Sequence, residues 1–145
     1  MIYTVLQVKK ENRKQFPVAI AAFIDRNKAD KYARNYAEQN NLSLDDDEVF
    51  VEGSHYVSQI IDKPYTVFDE IEHDYRMCIE SNMNKIGNKI YLFWCIESKR
   101  PVTGFATYVF DNDKNVKIYT ENIWPDEEVA SFTKGYYVLE CDLIR

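Results

Sequence analysis

Apolar residues in this chain come in short, dense runs, a pattern typical of strands. The densest run spans residues 90–96 and is apolar on both faces, which predicts a central strand of an antiparallel sheet, covered on both sides. The other predicted strands share branched and aromatic residues between polar turns. They are residues 2–9, 49–52, 55–61, 103–110, 116–120 and 136–144.

One apolar stretch is ambiguous. Residues 18–24 fit either a strand or the first turns of a long helix that starts at Pro17. We prefer the strand, because Asp25 then stands where a helix N-cap belongs and accepts hydrogen bonds from the free amides of the first turn. The helix that follows is predicted over residues 26–40, where alanines and tyrosines recur at a three-four spacing.

Two further helices complete the predicted fold. Residues 66–86 keep an approximate helical rhythm, and Gly87 fits the left-handed position that closes a helix. Residues 125–132 begin with proline and acidic residues, as a first helical turn prefers, and the polar run 111–115 predicts a hairpin turn. The chain is therefore predicted to be one α+β domain over residues 1–145, with a mainly antiparallel sheet of about six to seven strands, two principal helices and a short third.

The two halves of the chain resemble each other weakly. Ile2-Tyr3 matches Ile90-Tyr91 in step, and each half runs through strands and a helix to a last strand that contains Tyr-Val. One interpretation is a repeat of residues 1–62 as residues 88–145. The register needs gaps, so we favour chance similarity between two strand-rich halves.

Charge is distributed unevenly along the sequence. The chain has a net charge of −6, yet its first 40 residues contain twice as many basic as acidic residues. An acidic body disfavours general nucleic-acid binding, which depends on phosphate neutralisation, and permits a basic protein partner. The 11 tyrosines suit a contact surface, because each ring has an apolar body and a polar tip.

The cysteines and the start of the chain bear on its compartment. Cys78, Cys95 and Cys141 are far apart among apolar neighbours, which predicts reduced, buried and inert thiols. A predicted strand follows Met1 at once, so we expect no leader segment, and no apolar run is long enough to span a membrane. These features predict a cytoplasmic protein.

The sequence contains no residue set with recognisable catalytic chemistry. Residues 111–115 begin like a calcium loop, but Val116 stands where the sharp turn needs glycine. His73-Asp74 lacks the further histidines of a metal-dependent hydrolase, and Cys78 lies on another side of the predicted helix from His73. The four glycines are never clustered, so they cannot build a phosphate loop. We predict no catalytic residue, no metal, no cofactor and no enzymatic activity.

Three groups of residues are candidate contact sites. The acidic group forms an exposed loop that suits a protein partner, and it consists of Asp45, Asp46, Asp47 and Glu48. The aromatic group is a candidate anchor for the same kind of partner, and it consists of Tyr119, Trp124 and Tyr136. The basic group is a candidate anion-binding site, and it consists of Lys9, Lys10, Arg13, Lys14, Lys31 and Arg34.

Three functions fit these features, in order of preference. The first is a non-catalytic acidic binding protein that occupies a protein partner, in the manner of small inhibitors, immunity proteins or phage counter-defence proteins. The second is a protein that sequesters a small anionic ligand such as a nucleotide. The third is an unrecognised small enzyme such as a hydrolase. The sequence leaves the oligomeric state open.

Overall fold

A computed structural model describes residues 1–145 and contains one sheet of seven mostly antiparallel strands. The strands are β1 Ile2–Glu11, β2 Lys14–Phe23, β3 Val49–Val67, β4 Glu70–Glu80, β5 Lys89–Lys99, β6 Val102–Phe110 and β7 Tyr136–Ile144. The α-helices are α1 Arg26–Gln39, α2 Asp113–Ile118 and α3 Glu128–Phe132. Short helical turns lie at Met83–Lys85, Tyr119–Ile123 and Trp124–Asp126. The predicted α+β class is confirmed.

Six of the seven strands close into a ring. Their order is β1-β2-β7-β5-β6-β3, and β3 pairs back onto β1 through residues 49–54. Neighbours are antiparallel except at two short parallel seams, where β2 meets β7 and β3 meets β6. β4 pairs with β3 alone and therefore lies outside the ring.

Apolar side chains fill the ring and cover the two outer faces on which helices pack. The cluster inside the ring takes residues from all six of its strands. On one outer face, α1 lies close against β1, β2 and β3, because its buried residues are the small Ala29, Ala33 and Ala37. On the other face, the segment from α2 to α3 covers β5 and β6 and buries Tyr119 against Phe93, with ring centroids 4.8 Å apart. The molecule thus has one apolar cluster inside the closed sheet and two outside it, under the helices.

The two halves of the chain pair in the same way. β1 pairs with β2 and β3, and β5 pairs with β6 and β7, all antiparallel. Each first hairpin has a register irregularity at the equivalent place, between Val5 and Leu6 in β1 and between Phe93 and Trp94 in β5, and the β5–β6 hairpin has a second one, between Ile96 and Ser98. The last strand of each half crosses to the other half and pairs in parallel with its second strand.

Several predicted elements are confirmed. Residues 90–96 lie in β5, between β7 and β6, with apolar clusters on both faces. The ambiguous stretch 18–24 belongs to a strand, since β2 runs to Phe23. Asp25 caps α1, and its Oδ1 accepts from the N–H of Asn27 at 2.8 Å. The predicted strands 49–52 and 55–61 are one continuous strand, β3.

The predicted helix over residues 66–86 is wrong. β3 continues to Val67, Phe68-Asp69 turn the chain, and β4 runs back over residues 70–80. The sequence of β4 alternates, because charged residues separate Ile71, His73, Tyr75 and Met77. A two-residue period is the signature of a strand, and it fits this segment better than the approximate helical spacing does. The turn itself contains neither the glycine nor the asparagine that marks most two-residue hairpins.

The predicted strand over residues 116–120 is also wrong, as is the hairpin turn predicted at 111–115. Asn112 caps α2 there, and its Oδ1 accepts from the amide three residues further on at 2.9 Å. The Asp111 carboxylate accepts from the Tyr56 hydroxyl at 2.8 Å and so joins the start of this helical segment to β3. Short polar residues favour turns and helix N-caps alike, which makes the local pattern ambiguous.

Candidate functional site

The longest strand pair leaves the ring as a protruding hairpin. Beyond Tyr56, β3 has no ring neighbour and pairs with β4 alone, as far as Val67 opposite Glu70. Every residue from 62 to 74 is exposed, and we call this segment the arm. The arm is a two-stranded extension of the ring. Its two strands form backbone hydrogen bonds only with each other.

The turn at the end of the arm has an unfavourable sequence for its geometry. Phe68 and Asp69 have φ angles of 50° and 66°, so both central residues are left-handed. Such a turn matches the twist of a two-residue hairpin and is normally built from Asn-Gly or Asp-Gly. The turn between β1 and β2 has similar angles and follows this preference at its first position, which is Asn12. Phenylalanine at the first position of the arm's turn breaks the preference.

Exposed apolar side chains flank this turn on both faces of the arm. Phe68 is 96% exposed and Ile71 is 71% exposed, and Tyr65 and Val67 are also exposed. The arm carries five carboxylates and a single lysine, so its apolar tip is set in negative charge. A large exposed apolar group bordered by charge is a feature of contact surfaces rather than of solvated ones.

His73 helps to hold the two strands of the arm together. Its Nδ1 lies 2.8 Å from Oδ1 of Asp62 across the ladder, and its ring stacks on Tyr75 with centroids 5.9 Å apart. His73 also borders a shallow groove of about 270 Å³ that contains Asp126 and Glu127. No serine or cysteine lines this groove, so the imidazole has no nucleophile beside it there. The arrangement fits a structural pair in the arm.

A second feature, which we call the basic cleft, lies where two turns meet. The β1–β2 turn and the β5–β6 turn form a cleft of about 900 Å³ with Phe16 and Tyr137 in its lining. Gln15 Oε1 accepts from the Val102 N–H at 2.9 Å and ties the two turns together. The cleft has four cationic side chains, Arg13, Lys14, Lys99 and Arg100. None of these cations has a salt bridge, and no acidic side chain lines the cleft.

The structure separates the basic residues that the sequence groups together. Arg13 and Lys14 lie in the basic cleft. Lys9 and Lys10 lie in another groove, of about 360 Å³, together with Glu11 and Glu48, so that groove has mixed charge. Arg34 lies in the cleft under α1, and Lys31 is exposed on α1 outside all of these grooves.

Sequence reasoning misses Lys99 and Arg100, which supply half of the positive charge of the basic cleft. Lys99 ends β5 and Arg100 follows it, whereas Arg13 lies in the turn after β1 and Lys14 begins β2. The signal is therefore a pair of basic residues at each of the two equivalent turns. It becomes visible only when the two halves of the chain are compared element by element.

The predicted acidic loop lies beside positive charge. Asp45 and Asp46 line a cleft of about 610 Å³ between α1 and β3, together with Arg26 and Arg34. Asp47 is exposed, and the Glu48 carboxylate accepts a hydrogen bond from the backbone amide of Ser43. The cleft thus combines two of the predicted acidic residues with one of the predicted basic residues, and its charges largely balance.

The predicted aromatic anchors differ in exposure. Tyr136 is 37% exposed and packs edge-on against the partly buried Trp124, with centroids 4.9 Å apart. Tyr119 is only 1% exposed, so it offers almost no surface to a partner. Its ring is buried because the α2–α3 segment packs it between β5 and β6, and burial raises the pKa of its hydroxyl strongly. A tyrosine in a helix looks the same in sequence whether it faces the sheet or the solvent.

A carboxyl group inside the sheet has an unusual environment. Glu52 of β3 accepts from the Ala106 N–H of β6 at 2.6 Å, where the two strands no longer pair with each other. Burial raises the pKa of this carboxyl to about 7, against the smaller opposing effects of the Ala106 N–H and the Trp94 indole. The indole Nε1 of Trp94 is buried without a hydrogen-bond partner. Glu52 thus replaces a missing ladder bond and closes the sheet.

The other titratable groups offer little reactivity. Burial raises the pKa of the Cys95 thiol to about 11 and that of Cys141 to about 12, so both are protonated near neutral pH. Cys78 lies partly buried in β4. No group of three or more histidine, cysteine, aspartate or glutamate side chains converges in a way that could hold a metal ion. The groups that stand out on the surface are therefore the tip of the arm and the basic cleft.

The helices lack the length and apolar character that a membrane crossing requires. Comparison of the chain with protein-family models, with curated proteins and with solved structures finds no match.

Proposed function

We propose that this chain is a non-catalytic binding protein that acts by occupying a protein partner through the tip of its arm. The observation that carries the proposal is the near-complete exposure of Phe68 at a turn whose backbone disfavours phenylalanine. A left-handed residue other than glycine costs roughly 1–2 kcal/mol, and an exposed aromatic ring adds no packing to the fold. A side chain that costs stability and adds no contact within the chain fits a role in contact with another molecule.

The architecture of the arm supports the same function. An isolated two-stranded hairpin is only marginally stable in water. Here the ladder continues without a break from the ring into the arm, with one register irregularity between Val57 and Gln59, and the His73–Asp62 pair joins the exposed strands. A contact group held on a preformed arm loses little conformational entropy when it binds. The ring is therefore a scaffold that presents the tip.

The charge of the arm indicates the chemistry of the partner. Asp69, Glu70 and Glu72 surround the apolar tip. Charged rims increase the association rate and orient the partner, while apolar anchors at the centre supply most of the binding free energy. We therefore expect the partner to have an apolar pocket bordered by lysine or arginine.

An affinity capture from the cells that produce the chain tests this function. The double variant Phe68→Asn/Asp69→Gly keeps the turn and removes the apolar tip, whereas Asp45→Asn/Asp47→Asn changes acidic residues on another surface. We expect the wild-type chain and the loop variant to capture one partner in stoichiometric amount, and the tip variant to lose it. Equal capture by the tip variant would rule out the arm as the contact site.

The basic cleft favours a second candidate function, the binding of a small anionic ligand. Its four unpaired cations could hold phosphate groups, and Phe16 and Tyr137 could contact an aromatic base. Thermal-shift assays with pyrophosphate and nucleotides test this function, because a ligand at 100 times its dissociation constant adds about 2.7 kcal/mol to the free energy of unfolding. An unchanged melting temperature with every anion would remove the candidate.

A further inference from the structure

We infer that the arm of one copy docks in the basic cleft of a second copy, so that chains associate head to tail. The inference rests on the proposed function, since it names the partner of the same arm. Two features that no intramolecular contact explains, an acidic apolar tip and an unpaired basic cleft, then complement each other.

The arm and the cleft lie at opposite ends of the molecule. β1 runs antiparallel to β3, with Gln7 opposite Val49, so the β1–β2 turn lies beyond the first residue of β3. β6 runs parallel to β3, which places its first residue, and hence the β5–β6 turn, toward the same end. β3 runs the other way to the tip, over a length of up to about 60 Å for its 19 residues. An arm cannot therefore reach the cleft of its own chain.

The charges of the two surfaces are opposite. The rim of the tip carries Asp69, Glu70 and Glu72, and the cleft carries four cations without a single acidic residue. The rest of the molecule is acidic, since the whole chain has a net charge of −6. A second copy therefore repels an approaching arm over most of its surface and attracts it at the cleft.

The apolar groups also correspond. Phe68 and Ile71 are the most exposed apolar side chains of the arm. The half-buried rings of Phe16 and Tyr137 line the cleft beside its cations, which gives an aromatic tip an apolar surface to cover. Arginine and aromatic residues together are typical of the centre of protein interfaces.

An arm-to-cleft contact joins two different surfaces, so a single contact leaves one arm and one cleft free. These either meet in a reciprocal two-fold dimer with two such contacts or bind further copies in rings or chains. The wild-type protein is therefore expected to associate as its concentration rises. The salt bridges across the contact are screened by salt, so assembly weakens when ionic strength increases.

Sedimentation of matched variants, alone and mixed, tests the inference. Phe68→Asn/Asp69→Gly removes the tip, and Lys99→Glu/Arg100→Glu reverses half of the cleft charge. The variant Lys28→Glu/Lys31→Glu makes the same charge change on the exposed face of α1 and serves as a control. We expect each of the first two variants alone to be monomeric and the control to assemble like the wild type. An equimolar mixture of the tip and cleft variants retains one intact arm and one intact cleft, so it should form a one-to-one dimer and nothing larger.

The possible failures are distinguishable from failure of the proposed function. A wild-type chain that stays monomeric at millimolar concentration would overturn the inference. The proposed function would still hold in that case if the wild-type chain captures a different protein and the tip variant does not. Assembly that persists in the tip variant or in the cleft variant would place the interface elsewhere. Binding of inorganic pyrophosphate to a monomer, lost in the cleft variant, would assign the cleft to a small anion and also overturn the inference.

Discussion

At the scale of single residues, the sheet is closed by side chains as well as by backbone pairing. β3 and β6 share only two paired positions, and the Glu52 carboxyl takes up the Ala106 N–H beyond them. An uncharged carboxyl can fill this partly buried position at a lower desolvation cost than a carboxylate, which is why burial raises its pKa to about 7. Five other buried polar groups, those of Thr4, Ser54, Trp94, Trp124 and Thr133, have no partner in the chain.

The free energy of unfolding should depend on pH through Glu52. Its folded pKa of about 7 lies above the ordinary value of 4.5, so between these pH values the folded state holds a proton that the unfolded state has released. Stability therefore falls as pH rises through this window, by up to about 3 kcal/mol. In Glu52→Gln this loss should be absent. In urea denaturation, the free energy of unfolding of the variant should therefore rise relative to that of the wild type between about pH 5 and about pH 8. The same relative stabilisation in Glu38→Gln, an exposed control in α1, would contradict the assignment.

Gly104 is required by a close approach of backbone and ring. A methyl group at this position would lie 2.0 Å from the carbonyl oxygen of Cys95 and 2.5 Å from the Trp94 ring. Because neither neighbour can move freely in the sheet, Gly104→Ala should lower the free energy of unfolding by about 3 kcal/mol. Gly87→Ala is the matched control, since its methyl group would meet nothing closer than 3.7 Å. A chemical denaturation curve for Gly104→Ala that coincides with that of the wild type would refute the proposed overlap.

Residue types alone could predict some roles but not their burial. Asp25 is identifiable as a cap because its side chain and the following alanine spacing agree. Tyr119, Trp124 and Tyr136 are alike in composition, yet one is in the core and another is exposed. Glu52 carries no local signal at all, because its partner Ala106 is brought near only by the ring.

At the scale of elements, the arm is the part of the fold that could not be predicted from the sequence. Residues 66–86 show both a loose helical spacing and a regular alternation, and the missing turn residues favour the first interpretation. The alternating pattern gives the right structure, because β4 pairs along β3, which is itself part of the ring. Strands 2–9, 90–96 and 136–144 were predictable since branched and aromatic residues agree with their flanking turns.

Replacing the turn of the arm should stabilise the arm while removing its tip. Phe68→Asn/Asp69→Gly supplies the residues that left-handed positions prefer, for a gain of about 1 kcal/mol in local stability. Amide hydrogens of the arm should then exchange roughly five times more slowly, as measured by NMR or mass spectrometry. Amides of β5 serve as the internal control and should not change. Faster exchange in the arm would show that Phe68 has a structural role after all.

At the scale of the whole molecule, pairing binds the two halves of the chain to each other. We propose that the halves are two copies of one strand–strand–helix–strand unit, since their pairings correspond and each first hairpin has a register irregularity at the equivalent place. The sequence match of Ile2-Tyr3 with Ile90-Tyr91 is in register with this correspondence, because Ile2 and Ile90 occupy equivalent ends of β1 and β5. The match is too short to reveal the exchange of β3 and β7, which depends on contacts far apart in sequence.

This exchange predicts that the two halves unfold together. Each half lacks a neighbour for its second strand when the other half is unfolded, so neither has a complete sheet of its own. Both tryptophans lie in the second half, whereas α1 lies in the first. Tryptophan fluorescence and the far-ultraviolet circular dichroism should therefore give coincident thermal transitions. Two separated transitions would mean that the halves are independent.

If the tip of the arm makes the functional contact, a photoreactive group placed there should crosslink to the partner. A benzophenone amino acid is placed at Phe68 in one variant and at Ile144, an exposed position at the end of β7 away from the basic cleft, in another. Each variant is irradiated in the cells that produce the chain. We expect a discrete crosslinked protein product, with a second copy or with another protein, from position 68 and none from position 144. Products from position 144 alone would show that the contact lies elsewhere.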